Sequence, residues 1–262
     1  MNLPHIPTFV ISLEEATDRR EWMNKQLSEI GINFEFFNAI DGRKFDVPNH
    51  PSYDKNKRLK YFGRNMKGGE IGCLLSHRGI YEKIINDNLD MALILEDDVV
   101  LKGGFKQAIT ELTKIGDKFD VVRFLGSPKV AKHKNRKVAH LFDDFWMVRI
   151  KTTPGGTHAY IVTNQGAKKL LKHMDKNYLP VDTLVGHAWK TGAKSYIVQP
   201  GLATQDLTME SSIGEERFDK SVDLKGFQKT IFPITRAWFK FSEAIGKSWV
   251  WYSNYFKEKL NS

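Results

Sequence analysis

The chain has one cysteine in 262 residues, Cys73. No disulfide can therefore form within it, and nothing in it calls for an oxidising compartment. It has no apolar run approaching the ~18 residues of a membrane-spanning helix. The first residues, Met1 to Thr8, show neither the basic nor the apolar region of a secretory leader. These absences together predict a soluble or peripheral protein of the cytoplasm. No G-x-G-x-x-G follows the first predicted strand, which argues against a dinucleotide-binding domain. Neither internal repeats nor low-complexity segments occur, so the length fits one large domain, or one domain with an appendage.

What is present is positive charge and a sufficient core. The net charge is +9 and 41% of residues are hydrophobic. Such a balance suits nucleic acid, anionic lipid or phosphorylated small molecules, or simply a basic solvated surface. The most informative stretch is Leu93-Ile94-Leu95-Glu96-Asp97-Asp98-Val99-Val100-Leu101. A buried α/β strand reads as a continuous apolar run, and three unpaired carboxylates cannot sit inside one. The spacing therefore predicts that Leu93 to Leu95 end a strand and that the acids lie at its carboxyl end, where open α/β sheets bind ligands. Clustered carboxylates suit Mg²⁺ or Mn²⁺ gripping a diphosphate; the alternative is a solvated acidic turn.

The rest of the chain alternates strands and helices. Ile6 to Leu13 is a predicted strand, Arg19-Arg20 open an amphipathic helix that Gly31 caps, and Phe34 to Ile40 is a second strand ending in the Asp41-Gly42 turn. This is a βαβ unit with parallel strands. Ser12, Arg19 and Asp41 stand where a nucleotide would meet it, and each also reads as ordinary loop chemistry. Arg43 to Lys67 is polar and basic and predicts a long surface loop. A helix follows over 71–87, carrying Ser76 and His77. Further helices are expected over 105–115, over 164–173 with Asn164 as cap, and over 183–189 with Asp182 as N-cap. Strands are expected at 119–125, within 142–151, at 159–162 and at 195–198. Lys129 to Lys137 reads as a solvated basic run, and Leu202 to Ser221 as polar and mobile. Gly155-Gly156 permits a close backbone approach to a ligand, or makes a turn. From Phe227 to Leu260 aromatics alternate with lysines. An interfacial amphipathic helix has this composition, as does a helical hairpin packed on the domain or against a second subunit.

Six strings in order carry a resemblance: FVISLEEATDRR (9–20), FFNAIDGR (36–43), GEIGCLLSH (69–77), ALILEDDVVL (92–101), GGTHAYIVT (155–163) and PVD (180–182). The chain resembles the glycosyltransferase family 25 enzymes, which include bacterial lipooligosaccharide galactosyltransferases. The resemblance spans roughly residues 6 to 205 and leaves out the segment beyond about Ser221. It implies an α/β, GT-A-like domain over 1–221, with a mostly parallel central sheet flanked by helices, and a C-terminal basic aromatic helical extension over 222–262. It further implies an inverting transfer of galactose, or glucose, from a UDP-sugar, as in a β-galactosyltransferase. The metal, Mn²⁺ or Mg²⁺, would be held through a DxD-like motif matched by Glu96-Asp97-Asp98. In that motif the last acid binds metal, which assigns Asp98 to metal and Glu96 to ribose or metal. Ser12, Arg19, Asp41, Ser76, Asp97, Gly155 and Gly156 would line the donor site. Asp182 is expected to be the catalytic base, and His187, His158 and Asp206 are candidate third ligands. The implied acceptor is a lipid-linked oligosaccharide at the inner face of the inner membrane, with the tail on the membrane surface; a homodimer is compatible. A metal-dependent phosphohydrolase or nucleotidyl enzyme using the same acids is the alternative. A nucleic-acid binder rests on charge alone and is not expected, because no nucleic-acid motif is present.

Overall fold

The computed structural model describes residues 6–152, 154–206, 223–255 and 258. The chain opens as a βαβ unit: β1 (Thr8–Ser12), α1 (Thr17–Glu29) and β2 (Glu35–Asn38), with β1 and β2 parallel. Next come α2 (Lys55–Phe62), α3 (Gly68–Asn86), β3 (Met91–Glu96), β4 (Val99–Leu101) and α4 (Phe105–Thr113). The middle of the chain forms β5 (Val121–Arg123), α5 (Pro128–Ala131), β6 (Asn135–Phe142), β7 (Phe145–Ile150) and β8 (Ala159–Thr163). The last elements are α6 (Asn164–Leu171), α7 (Val181–Gly186), α8 (Ala188–Thr191), β9 (Ser195–Gln199), β10 (Ala203–Gln205) and α9 (Phe227–Ser253).

Eight strands make one sheet in the order β2-β1-β3-β8-β5-β9-β7-β6. Six of them run in one direction, while β8 and β7 are reversed, so the sheet is mostly parallel by strand direction and mixed by pairing. Both faces are covered. Val10, Leu93 and Leu95 point to one side, with Met23 and Leu27 of α1 and Leu112 of α4. Phe9, Ile11 and Ile94 point to the other, with α3, α6 and α7. This double burial explains why β1 and β3 read as unbroken apolar runs.

The predicted loop at Arg43 to Lys67 holds a helix. Asp54 accepts a hydrogen bond from the Lys57 amide at 3.0 Å, and Gly63 ends α2 at φ 74°. The cap of α6 is Thr163 rather than Asn164: its hydroxyl accepts from the Gly166 amide at 3.0 Å, while the Asn164 amide reaches back to the Ile84 and Leu89 carbonyls. Asp182 is not an N-cap. Pro180 holds that position, and Asp182 lies inside the first turn of α7. The basic run 129–137 contributes α5 and the start of β6. In the stretch read as mobile, β10 pairs antiparallel with β4, while residues 207–222 lie outside the described ones, as does the boundary between 221 and 222. In place of a hairpin, the tail is one long helix. Its inward face rests on α2 and α8, burying Phe239 and Trp251.

Candidate active site

The site follows from strand register. β1 and β3 are parallel neighbours with Ile11 opposite Glu96, which sets Ser12 beside Asp97 at the carboxyl edge. The strand order reverses at β1, with β2 on one side and β3 on the other, as it does where α/β sheets form ligand crevices. A single pocket there is lined by Ser12, Arg19, Asp41, Ser76, Glu96, Asp97 and Asp98. Its remaining walls include Arg43, Cys73 and Gln205.

The three carboxylates differ in what holds them. Asp97 is fully engaged: Ser12 donates to one oxygen at 2.7 Å and Arg19 to the other at 2.8 Å. Glu96 receives Thr157 Oγ1 at 2.6 Å and lies 3.3 Å from His77 Nε2. Burial works to raise the Glu96 carboxyl, but the bonds to His77 and Thr157 hold it below its ordinary value. Among the described residues, Asp98 has only Gln205 Nε2, at 3.3 Å, on Oδ2, and its Oδ1 is buried with no hydrogen-bond partner. Burial first, then the charges of Glu96 and Asp97, push Asp98 up to about 7. A buried acceptor oxygen without a donor costs free energy unless a cation completes it. The donor set is all oxygen, as Mg²⁺ and Mn²⁺ require. The residues present therefore fit a divalent ion, with Asp98 as ligand and Glu96 beside it.

Other predicted residues line the pocket with their polar groups already used. The Ser76 hydroxyl donates to the Gly72 carbonyl at 2.8 Å and accepts from the Ile40 amide at 2.8 Å. Asp41 is gripped by Arg43, whose Nε and Nη2 donate at 2.8 Å; those hydrogen bonds hold its carboxyl down at about 2. The Asp41-Gly42 turn sits directly on the start of α3. A Cβ on Gly42 would overlap the Gly68 carbonyl, and one on Gly72 would overlap the Ile40 carbonyl. Two of the strings noticed in the sequence thus meet here, backbone on backbone.

Asp182, Gly155 and Gly156 do not line this pocket but form its neighbour. Asp182 Oδ2 is 3.4 Å from the Gly156 amide, and a Cβ on Gly155 would lie 2.7 Å from the same oxygen. The next residue, Thr157, is the one bonded to Glu96, so a single loop joins Asp182 to the acids. Arg123, which sequence reasoning missed, is buried beneath that loop and donates to the Pro154 carbonyl at 2.7 Å. Burial lowers its guanidinium to about 10, against the opposing charge of Asp182. His77 is buried in a chain of polar contacts. Its Nδ1 lies 2.7 Å from Tyr160 Oη, which lies 2.7 Å from Tyr81 Oη. Atoms of Cys73, His77 and Glu96 that could bind metal lie within 4.8 Å of one another, but both His77 nitrogens are already engaged.

Of the candidate third ligands, Asp206 is adjacent to the acids, since its amide donates to the Asp98 carbonyl at 2.8 Å. His158 is buried with Nε2 on the Ala203 carbonyl at 3.2 Å. His187 faces Glu243 of α9 at 3.0 Å and does not line the pocket. The placement of Gln205 and Asp206 depends on the β4–β10 pairing, which no local sequence pattern announces.

The sheet and its edge define an α/β protein with a carboxylate- and arginine-lined cleft at its strand ends. Residues 5–185 match the profile of glycosyltransferase family 25 (LPS biosynthesis protein), and the chain belongs to that family. It is 32% identical over 203 residues to a "glycosyltransferase 25 family member" of Aedes aegypti, covering 71% of this chain and 31% of that protein. The chain thus spans about a third of the length of the insect relatives it matches. A "putative glycosyltransferase" of Haemophilus influenzae is 30% identical over 226 residues, covering 80% of this chain and 76% of that protein. An "inactive glycosyltransferase 25 family member 3" of Homo sapiens is 29% identical over 227 residues, covering 74% of this chain and 36% of that protein.

Proposed function

We propose that this chain is an inverting, metal-dependent glycosyltransferase that moves galactose, or glucose, from a UDP-sugar to a lipooligosaccharide or lipopolysaccharide acceptor. The observation that carries the reading is Asp98: a carboxylate in the strand-end cleft whose buried Oδ1 lacks a partner among the described residues. A divalent ion bound there would neutralise the leaving diphosphate. Asp98 would ligate it, with Glu96 and the adjacent Asp206 beside it. Arg19 and Asp97, locked together, shape the wall that meets the nucleotide, and Arg43, paired with Asp41 and Glu15, stands at the mouth. The Gly155–Thr157 loop separates the acids from Asp182, leaving Asp182 on the acceptor side. There its carboxylate would take the proton of the attacking hydroxyl as the bond to the anomeric carbon forms on the face opposite the leaving group. Arg123 would fix the loop that sets this spacing. A Haemophilus influenzae relative, "Lipooligosaccharide biosynthesis protein lic2B", is 26% identical over 231 residues and supports the acceptor class.

The test is UDP release from a panel of UDP-sugars, with truncated lipooligosaccharide as acceptor, in Mn²⁺ and in EDTA. Release that is selective for one hexose, lost in EDTA and lost in Asp98→Asn is expected. Release of inorganic phosphate without sugar transfer would replace the reading with the phosphohydrolase.

A further inference from the structure

Nine large hydrophobic side chains stand exposed among the described residues, and seven of them lie on α9. They run from Phe227 through Ile234, Trp238, Phe241 and Ile245 to Trp249 and Tyr252. At 3.6 residues per turn these positions fall within an arc of about 80°. The stripe is not a face waiting to pack on its own domain. The inward side of α9 is already fixed: Phe239 is buried, Gly246 lies against Trp189, Glu243 pairs with His187, and Arg236 donates to the Tyr61 carbonyl. The stripe is a ridge of roughly 38 Å at 1.5 Å per residue, with Pro233 inside the helix between its first two members. Such a convex ridge suits a deformable surface rather than a groove.

Charge selects the partner. The basic residues of α9, Lys229, Arg236, Lys240 and Lys247, lie on the side of the helix opposite the stripe, and its one carboxylate, Glu243, already pairs with His187. Lys151 stands 5.3 Å over the ring of Tyr252 at one end of the stripe. The whole chain carries +9. A second copy would bring like charge against like, whereas an anionic bilayer complements it. Five of the seven stripe residues are aromatic, the type that favours the headgroup level. We propose that α9 lies in the plane of an anionic lipid bilayer, with this stripe in the boundary between headgroups and acyl chains, Lys151 at the phosphates, and the net positive charge of the chain drawing it to the anionic surface. The proposal deepens the lipid-acceptor reading above and rests on it for its purpose. An enzyme held at a bilayer meets a lipid-borne acceptor at raised effective concentration.

The binding is tested on the full chain without any sugar. Co-sedimentation is measured with phosphatidylcholine vesicles, with and without phosphatidylglycerol, alongside tryptophan emission. Phosphatidylglycerol is expected to strengthen partitioning at least about tenfold, in a salt-sensitive way, with a blue shift from Trp238 and Trp249. The variant Trp238→Ser/Phe241→Ser/Trp249→Ser is expected to lose about tenfold or more of that partitioning while keeping the melting temperature of the parent. Absence of lipid-dependent binding by the parent overturns the proposal, as does undiminished binding by the variant. A concentration-dependent dimer that the variant abolishes, with no vesicle binding, assigns the stripe to a second copy and also overturns it. Vesicle binding with no UDP release would remove the transferase reading and leave the docking in place; the reverse would remove only the docking.

Discussion

Two carboxylates with buried oxygens, Glu258 and Asp98, have opposite surroundings. Glu258 accepts from Arg149 Nε at 2.6 Å, from Tyr196 Oη at 3.1 Å, and from both Nε and Nη2 of Arg136. Every direction in which its oxygens accept is filled from β6, β7 and β9, and Arg136 also lies 4.6 Å over the ring of Trp251. Among the described residues Asp98 has one weak donor, and one of its oxygens is buried without a partner. Burial alone therefore does not mark a functional acid. The donor count does: Glu258 is a clamp that fastens the tail to the far edge of the sheet, while Asp98 has room for a cation.

The comparison breaks if the two acids respond alike to removal. Glu258→Ala leaves two buried guanidinium groups without their carboxylate, and is expected to cost about 3–5 kcal/mol in urea unfolding. Asp98→Asn should instead reduce metal-dependent UDP release by about 100-fold or more without destabilising the fold. Its effect on stability has a definite sign. The Asp98 carboxyl titrates at about 7 in the fold against 3.8 ordinarily, so between those values the native chain keeps a proton that the unfolded chain has lost. Stability of the metal-free protein therefore falls as pH rises through that window and stays low above it. Thermal melts should show Asp98→Asn above the parent at about pH 8, with a smaller gain at about pH 5. The same proton competes with metal: apparent Mn²⁺ affinity, read by calorimetry, should fall about tenfold for each unit below about 7. The smallest effect is expected from Ser12→Ala. Asp97 keeps its Arg19 bond, and the loss in denaturant unfolding should be about 1 kcal/mol.

The acid-lined edge of the sheet was largely legible because its signals are local. Apolar runs gave β1 and β3, and carboxylates cannot stay unpaired inside a strand, which put the acids at the edge. The α2 helix was hidden by its polar composition, although Asp54 before it and Gly63 after it are ordinary stop and start signals. Long-range partners left no trace. Arg136 sits in a run that reads as solvated, yet its partner is 122 residues away. Asp98 and Gln205 meet across 107 residues. Asp182 carried a motif, but its closeness to Gly155 depends on how β8 enters the sheet. Asp41 was placed at the pocket by the βαβ reading and Ser76 by the resemblance; that their polar groups serve Arg43 and Ile40 depends on the fold bringing these residues together.

The reversed strand β8 has a consequence for how the protein is made. β3 pairs with β1 on one side and with Ala159–Thr163 on the other. On the ribosome the first partner is available from the start, but the second emerges more than sixty residues after β3. At about 5–20 residues per second, Leu93 to Leu95 spend several seconds as an open, apolar strand edge. Slower translation would lengthen that interval and faster folding of β5 through β8 would shorten it. Yield of native protein should accordingly track synthesis rate and chaperone supply more than the stability of the finished fold.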